Sequence, residues 1–478
     1  MDFNKLLDKE KEDVVWQYTI KKIKDKLMIN QNYLEGKISD EFIVYISDMR
    51  VELYGRNIIL SYTNECLDAI LNVLTSKYYY FSKITENELI DLIKKEFNFE
   101  DRICTSSANS IEMSLKMKKI LVNIVVMLIS KINFEDHNID KNIFCEKIFG
   151  LTMGEVNTEK LLSLPHSTLS STIELLTSDN FYNGVIKEKD LDLYDKRKEI
   201  EGYLTRILTS ENYANGLIDE EQFNLFLDNY FSNNYDFYRA SCYSITDVLT
   251  SKNFGEGKVR FEDLALLAKG FKNKENKMCI KDFEYLASII MSDNYANGLV
   301  QQEWLNTLAN QISSYYLYDF KLLLESKNYK NGKIENKDII YLLESAKQEY
   351  GSSNKGNETT CIKLMITDLY CDEKITFDDI KFLIEEKYTV IALIISLIIM
   401  NDKNQFSKEE QETYILALLN LENKDSLCDL CDSYIKTNKA ESEDEFAKNF
   451  VLYLLPVMLC CESFKKKEKK KEENKLKA

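Results

Sequence analysis

One nine-residue pattern, S-x-N-(Y/F)-x-N-G-x-(I/V), recurs along this chain, and recurrence every few tens of residues restricts a chain to architectures in which similar units stack on one another. Five clear copies set asparagine, aromatic, glycine and aliphatic in fixed order. They are Asn180, Phe181, Gly184 and Ile186; Asn212, Tyr213, Gly216 and Ile218; Asn253, Phe254, Gly257 and Val259; Asn294, Tyr295, Gly298 and Val300; and Asn328, Tyr329, Gly332 and Ile334. An earlier copy surrounds Gly36 and ends at Ile38. Four weaker copies put Ser82, His137, Glu373 and Asn404 where glycine is expected, with Ile84, Ile139, Ile375 and Phe406 two places on. Successive anchors lie 46, 55, 47, 32, 41, 41, 34, 41 and 31 residues apart, a range that suits two-helix units with connections of varying length.

Each copy reads as helix, loop, helix. Before the loop, pairs such as Tyr203-Leu204 with Ile207-Leu208 and Tyr285-Leu286 with Ile289-Ile290 are spaced by three and four, which puts them on one helical face. The glycine supplies the left-handed position that stops a helix, and the aliphatic after it plugs the corner. Ser39, Thr85, Asp140, Asp219, Thr376 and Ser407 then stand as N-caps of the second helix, and Glu88, Gln222 and Glu410 complete capping-box spacing. Only Pro165 and Pro456 interrupt the chain with proline, which favours helix over a turn-rich β fold. The expected fold class is all-α: about ten degenerate helix-loop-helix repeats forming an elongated α-solenoid-like or multi-lobed helical array. Degenerate repeats are expected over 1–170, regular ones over 171–346, degenerate ones again over 347–464, and a charged tail over 465–478. Polar stretches at 105–110, 163–172 and 351–360 read as loops.

At the loop, the unit resembles an EF-hand or its dockerin relative over about a dozen residues. With glycine at the sixth loop position, the resemblance implies oxygen ligands at positions one, three, five and twelve. In the copy at Gly184 these fall on Asp179, Phe181, Asn183 and Asp190, and at Gly332 on Lys327, Tyr329, Asn331 and Asp338. Aromatic and lysine side chains do not replace carboxylates around a hard cation, so the likeness reads as shared turn geometry with no metal and no cofactor.

Other chemistry is sparse. His137 occupies a loop position, and His166 in L-P-H-S-T has no acid at a defined spacing to complete a triad. Cys428 and Cys431 have C-x-x-C spacing inside a helical pattern and read as buried thiols. Cys460 and Cys461 precede a run from Lys465 to Lys477 holding eight lysines and three glutamates; its net charge of +5 leaves about −22 on the rest of a chain whose total is −17. That acidity opposes a nucleic-acid surface, and the recurrent aromatics read as core. Eleven cysteines without a leader pattern suggest a cytoplasmic setting, and no apolar run reaches the roughly 20 residues of a membrane span. The expected function is non-enzymatic: a helical scaffold binding a protein partner, with a basic patch as the complement to its charge. The alternative is a degenerate EF-hand-like, metal-responsive protein.

Overall fold

The computed structural model describes residues 14–47, 49, 52–53, 61–97, 103–104, 107–195, 201–219, 221–223, 235–269, 280–312, 314–348, 357–385, 389–400, 406–420, 427–429, 431–433, 447 and 450–451. Among the described residues the fold is all-α apart from one two-residue parallel pairing, Glu52 opposite Ile103 and Leu53 opposite Cys104. It divides into two compact units, Met1–Phe223 with Leu249–Ser251, and Asn224–Val248 with Lys252–Ala478.

The first unit contains α1 (Val14–Leu27), α2 (Asp40–Ser47), α3 (Ser61–Thr75), α4 (Glu86–Glu96), α5 (Ser107–Lys131), α6 (Lys141–Phe149), α7 (His166–Thr177), α8 (Glu188–Asp195) and α9 (Glu201–Leu208). The second contains most of α10 (Tyr235–Leu249), then α11 (Phe261–Lys269), α12 (Ile280–Met291), α13 (Gln302–Gln311), α14 (Ser314–Glu325), α15 (Asn336–Gln348), α16 (Asn357–Met365), α17 (Phe377–Glu385), α18 (Thr389–Met400) and α19 (Lys408–Leu419). Each motif copy lies between two of these helices. None of the described helices is long and apolar enough to cross a membrane.

The motif builds more than a helix stop. In the copy at Gly184 the preceding helix ends at Thr177, and Ser178 caps a separate one-turn helix, Asp179–Tyr182, by accepting the Phe181 amide at 3.1 Å. Gly184, at φ 65°, then closes that turn. Its amide donates to the Phe181 carbonyl at 3.0 Å and the Val185 amide to the Asn180 carbonyl at 2.8 Å, the paired bonds of a Schellman motif. Ser76, Ser210, Ser292 and Ser326 cap equivalent turns. The glycine therefore ends this extra turn and not the long helix before it.

A Cβ added at Gly216 would meet nothing within 4 Å, so backbone conformation, φ 68°, is what selects glycine there. Gly216→Val is expected to cost about 1 kcal/mol or more from strain alone, with Ala214→Val in the same turn costing less. Thermal denaturation of the two variants checks this; equal midpoints would contradict it.

Ser82 and Glu373 hold the left-handed position at φ 55° and 59°, where glycine is absent. In the second weak copy the expected residue is wrong. Asn138, not His137, is left-handed at φ 54°, because the turn there is a 3-10 helix over Phe134–His137 and its exit falls one residue later. The position expected at Asn404 lies outside the described residues, as do Cys460, Cys461 and the 465–478 tail.

The expected second-helix caps are all formed. Thr85 with Glu88 and Ser407 with Glu410 make full capping boxes, and Asp219 and Gln222 exchange bonds of 2.8 Å in both directions. The corner aliphatics Ile38, Ile84, Ile139, Ile186, Ile218, Val300, Ile334 and Ile375 are buried; Val259 is only half-buried. The three expected loops are shorter than the sequence suggested. Helices begin at Ser107, His166 and Asn357, because the small polar residues find partners inside the fold: Thr172 Oγ1 donates to the Thr168 carbonyl (2.7 Å) and Asn357 Nδ2 to the Leu383 carbonyl (2.6 Å).

The motif asparagine joins one copy to the next. In the first unit Asn32 Nδ2 donates to the carbonyls of Leu74 (2.6 Å) and Ser76 (3.1 Å), Asn180 to Leu208 (2.7 Å) and Ser210 (2.8 Å), and Asn212 to Leu249 (2.7 Å) and Ser251 (2.9 Å). In the second, Asn253 reaches Ile290 and Ser292 at 3.0 Å each, Asn294 reaches Leu324 (2.7 Å) and Ser326 (3.2 Å), and Asn328 reaches Met365 (2.8 Å) and Thr367 (2.9 Å). Each asparagine thus satisfies one carbonyl that the end of the following long helix leaves without an internal donor, and shares a second, that of the cap residue, with a backbone amide of the one-turn helix, as Ser326 also accepts from Lys330 at 3.1 Å. Tyr78 and Leu369 take the asparagine's place in the copies at Ser82 and Glu373.

Candidate functional site

The motif aromatics belong to the core. Phe181, Tyr295 and Tyr329 are buried, as are Tyr79, Phe134, Phe254 and Tyr370; Tyr33 and Tyr213 are half-buried. Their partner is set by the residue six places after the preceding copy's left-handed position. Where that residue is Asp190, Asp263 or Asp338, its carboxylate takes the phenol of Tyr213, Tyr295 or Tyr370. Where it is Phe42 or Trp304, the shorter bond of the phenol is to a backbone carbonyl, Tyr79 to Lys37 (3.1 Å, with Glu86 Oε2 at 3.4 Å) and Tyr329 to Leu299 (2.6 Å). Where it is Phe144, the next aromatic is Phe181, which has no hydroxyl, with ring centroids 6.1 Å apart. Burial, with the adjacent carboxylate, raises the phenols of Tyr213 and Tyr295 above the ordinary tyrosine range.

Asp190 and Asp338 sit at the twelfth loop position, but their carboxylates accept the amides of Lys187 (2.6 Å) and Glu335 (3.0 Å) as well as the phenols. They cap helices and hold neighbouring copies. Among the described residues no group of three or more His, Cys, Asp or Glu is placed to hold a metal ion.

In the first unit the copies at Ser82, Asn138 and Gly184 meet around His137, which is 5% exposed. Its Nε2 lies 3.1 Å from the Tyr78 hydroxyl, and the rings of Phe181 and Tyr182 lie 5.1 and 6.1 Å away. Burial lowers its pKa below the ordinary 6.5; Lys83 adds to this and Asp136 opposes it. The neutral imidazole is therefore the form the fold prefers. Its contribution is complete above pH 6.5 and is lost as pH falls from there through the lowered folded value, with a slope of at most about 1.4 kcal/mol per pH unit. Glu65 and Glu174, raised by burial, act in the opposite sense. The expected result is that the stability of wild type relative to His137→Gln falls on acidification, measured by urea unfolding at a series of pH values.

A polar residue ten places before the left-handed position marks the long helices, at Lys26, Asn72, Glu174, Arg206, Ser288 and Lys363. In the first unit Lys26 Nζ donates to Asn72 Oδ1 (2.7 Å) and Lys22 pairs with Asp68 (2.6 Å). Burial lowers Lys26 and raises Glu174, while each partly offsets the other's shift. These charges are spent on one another.

The second unit differs. Tyr285 on α12 and Tyr318 on α14 meet in a tilted pair with ring centroids 5.3 Å apart and an interplanar angle of 52°, and Tyr318 is 46% exposed. Tyr285, which the sequence groups with the apolar stripe, is half-exposed because it falls at the edge of that stripe. One turn on, Ser288 Oγ donates to Glu325 Oε1 at 2.7 Å, and Lys321 pairs with the same carboxylate at 3.0 Å. Beyond them the groove opens into a cleft of about 450 Å³ lined by Met291, Asp293, Lys327 and Lys330 among others. Tyr318, exposed, and Tyr285, half-exposed, lead into this cleft and form a surface suited to contact another molecule. Sequence reasoning missed it. The signal was the fixed offset of Ser288 from Gly298, with Tyr285 one turn earlier.

His166 does acquire neighbours. Its Nε2 is 3.5 Å from Ser114 Oγ and its Nδ1 3.6 Å from Glu65. Both distances exceed the reach for proton transfer, and Ser114 sits in the middle of α5, where backbone amides are committed to the helix and cannot stabilise an oxyanion. Cys428 and Cys431 are half-buried and buried respectively. Comparison of the chain with protein-family models, with curated proteins and with solved structures finds no match.

Proposed function

We propose that the chain is a non-enzymatic scaffold built from an array of helix-turn-helix repeats, and that it binds a protein partner through the groove between α12 and α14. The observation that carries this is the tilted pair of Tyr318, exposed, and Tyr285, half-exposed, beside a cleft. Tyrosine offers large contact area at low entropic cost and is enriched among residues that dominate interface energetics. The asparagine bonds between copies support the array, since they fix neighbouring long helices side by side and so give the groove a rigid floor. The partner chemistry follows from the groove's own lining, not from the net charge of the whole chain, because charges beyond about 10 Å are screened at ordinary salt.

Capture from native lysate tests the proposal. Proteins retained by the wild-type chain should be lost from the Tyr285→Ala, Tyr318→Ala double variant, with a penalty on the order of 2 kcal/mol. Equal capture by both would reject the groove. Retention of nucleic acid in place of protein would reject the partner class.

A further inference from the structure

We infer that this groove receives an acidic peptide segment, with an apolar or aromatic side chain on Tyr285 and Tyr318 and a carboxylate at Lys327. The inference rests on the groove being a docking face and adds the chemistry of what docks. Its two carboxylates are already engaged: Glu325 by Ser288 and Lys321, and Asp293 by Lys330 at 3.4 Å. A basic segment would have to displace these lysines. Lys327 is exposed and forms no ion pair with the described residues; Asp368, whose carboxylate feels its charge, is held by Lys408. The charged lining of the cleft, Asp293, Glu325, Lys327 and Lys330, is balanced, and with Lys321 alongside pairing with Glu325 and Lys330 pairing with Asp293, Lys327 is left as the cation open to a ligand. A cleft of about 450 Å³ has room for one or two side chains, not for a folded domain. The interleaved carboxylates also break any continuous track for a phosphate backbone.

Fluorescence polarisation with the full chain provides the test. The probes are labelled peptides Glu-Glu-Phe-Glu-Glu, Gln-Gln-Phe-Gln-Gln and Lys-Lys-Phe-Lys-Lys. The acidic peptide should bind at least about tenfold more tightly than the basic one and should weaken as salt rises. Lys327→Glu should reduce its affinity about tenfold, Lys327→Arg should preserve it, and Tyr318→Ala should weaken all peptides alike. Lys252→Gln, on an exposed turn elsewhere in the same unit, should change nothing. Preference for the basic or neutral peptide, indifference to Lys327→Glu, or no saturable binding of the acidic peptide overturns the inference. If that happens while the tyrosine variant still loses its lysate partner, the groove remains a docking face with different ligand chemistry. Loss of both results removes the docking face itself.

Discussion

Asn294→Ala is expected to lower the stability of the second unit by about 1–3 kcal/mol, because it strands the buried Leu324 carbonyl, whereas the Ser326 carbonyl keeps the Lys330 backbone amide at 3.1 Å. Asn294 is buried, and its amide supplies the donors for the Leu324 and Ser326 carbonyls in the following copy. Asn297, three residues on in the same turn, is exposed and serves as a C-cap, so Asn297→Ala should have a far smaller effect. Asn294→Asp separates hydrogen bonding from volume. The carboxylate has the amide's shape but no donor, and it would face two carbonyl oxygens, so it should be at least as damaging as alanine. Urea unfolding monitored by circular dichroism reports all three. A stable aspartate variant would show that the asparagine is not the donor joining the copies.

How far the sequence reveals this fold depends on how local each interaction is. The second-helix caps at Thr85, Asp219 and Ser407 involve residues three apart and are legible in a short window. The left-handed positions at Gly184 or Gly332 are equally local. The asparagine's role is not, because its acceptors are backbone carbonyls 28 and 30 residues away in the case of Asn180, and carbonyls leave no mark on side-chain pattern. The motif serine looked like a loop residue for a related reason: the one-turn helix it caps is too short to show periodicity. The offset at Asn138 became visible only once the turn was seen to be 3-10, although Phe144 six places on already keeps register with Phe181. The candidate groove was the least legible part. Tyr285 adjoins Leu286 in a stripe that is otherwise buried, and only the packing of α14 alongside shows that it faces Tyr318 and not the core.

The same residue class therefore plays two parts, and paired substitutions distinguish them. Phe181 has no exposed surface and lies 5.9 Å from Phe134, 6.1 Å from Phe144 and 5.1 Å from His137, measured between ring centroids. Phe181→Ala empties the centre of the three-copy junction and is expected to cost about 3–5 kcal/mol, from lost burial together with a cavity that rigid helix ends cannot close. Tyr318→Ala removes an exposed ring whose main neighbour is Tyr285, and its effect on stability should stay within about 0.5 kcal/mol. Binding should respond in the opposite way, with Tyr318→Ala losing the partner while the chain stays folded. Calorimetric melts alongside partner capture give both readouts. A Phe181→Ala chain that melts like wild type but no longer binds would mean that the motif aromatics form a ligand-stacking surface. Their fixed place three residues before the glycine would then reflect recognition instead of packing.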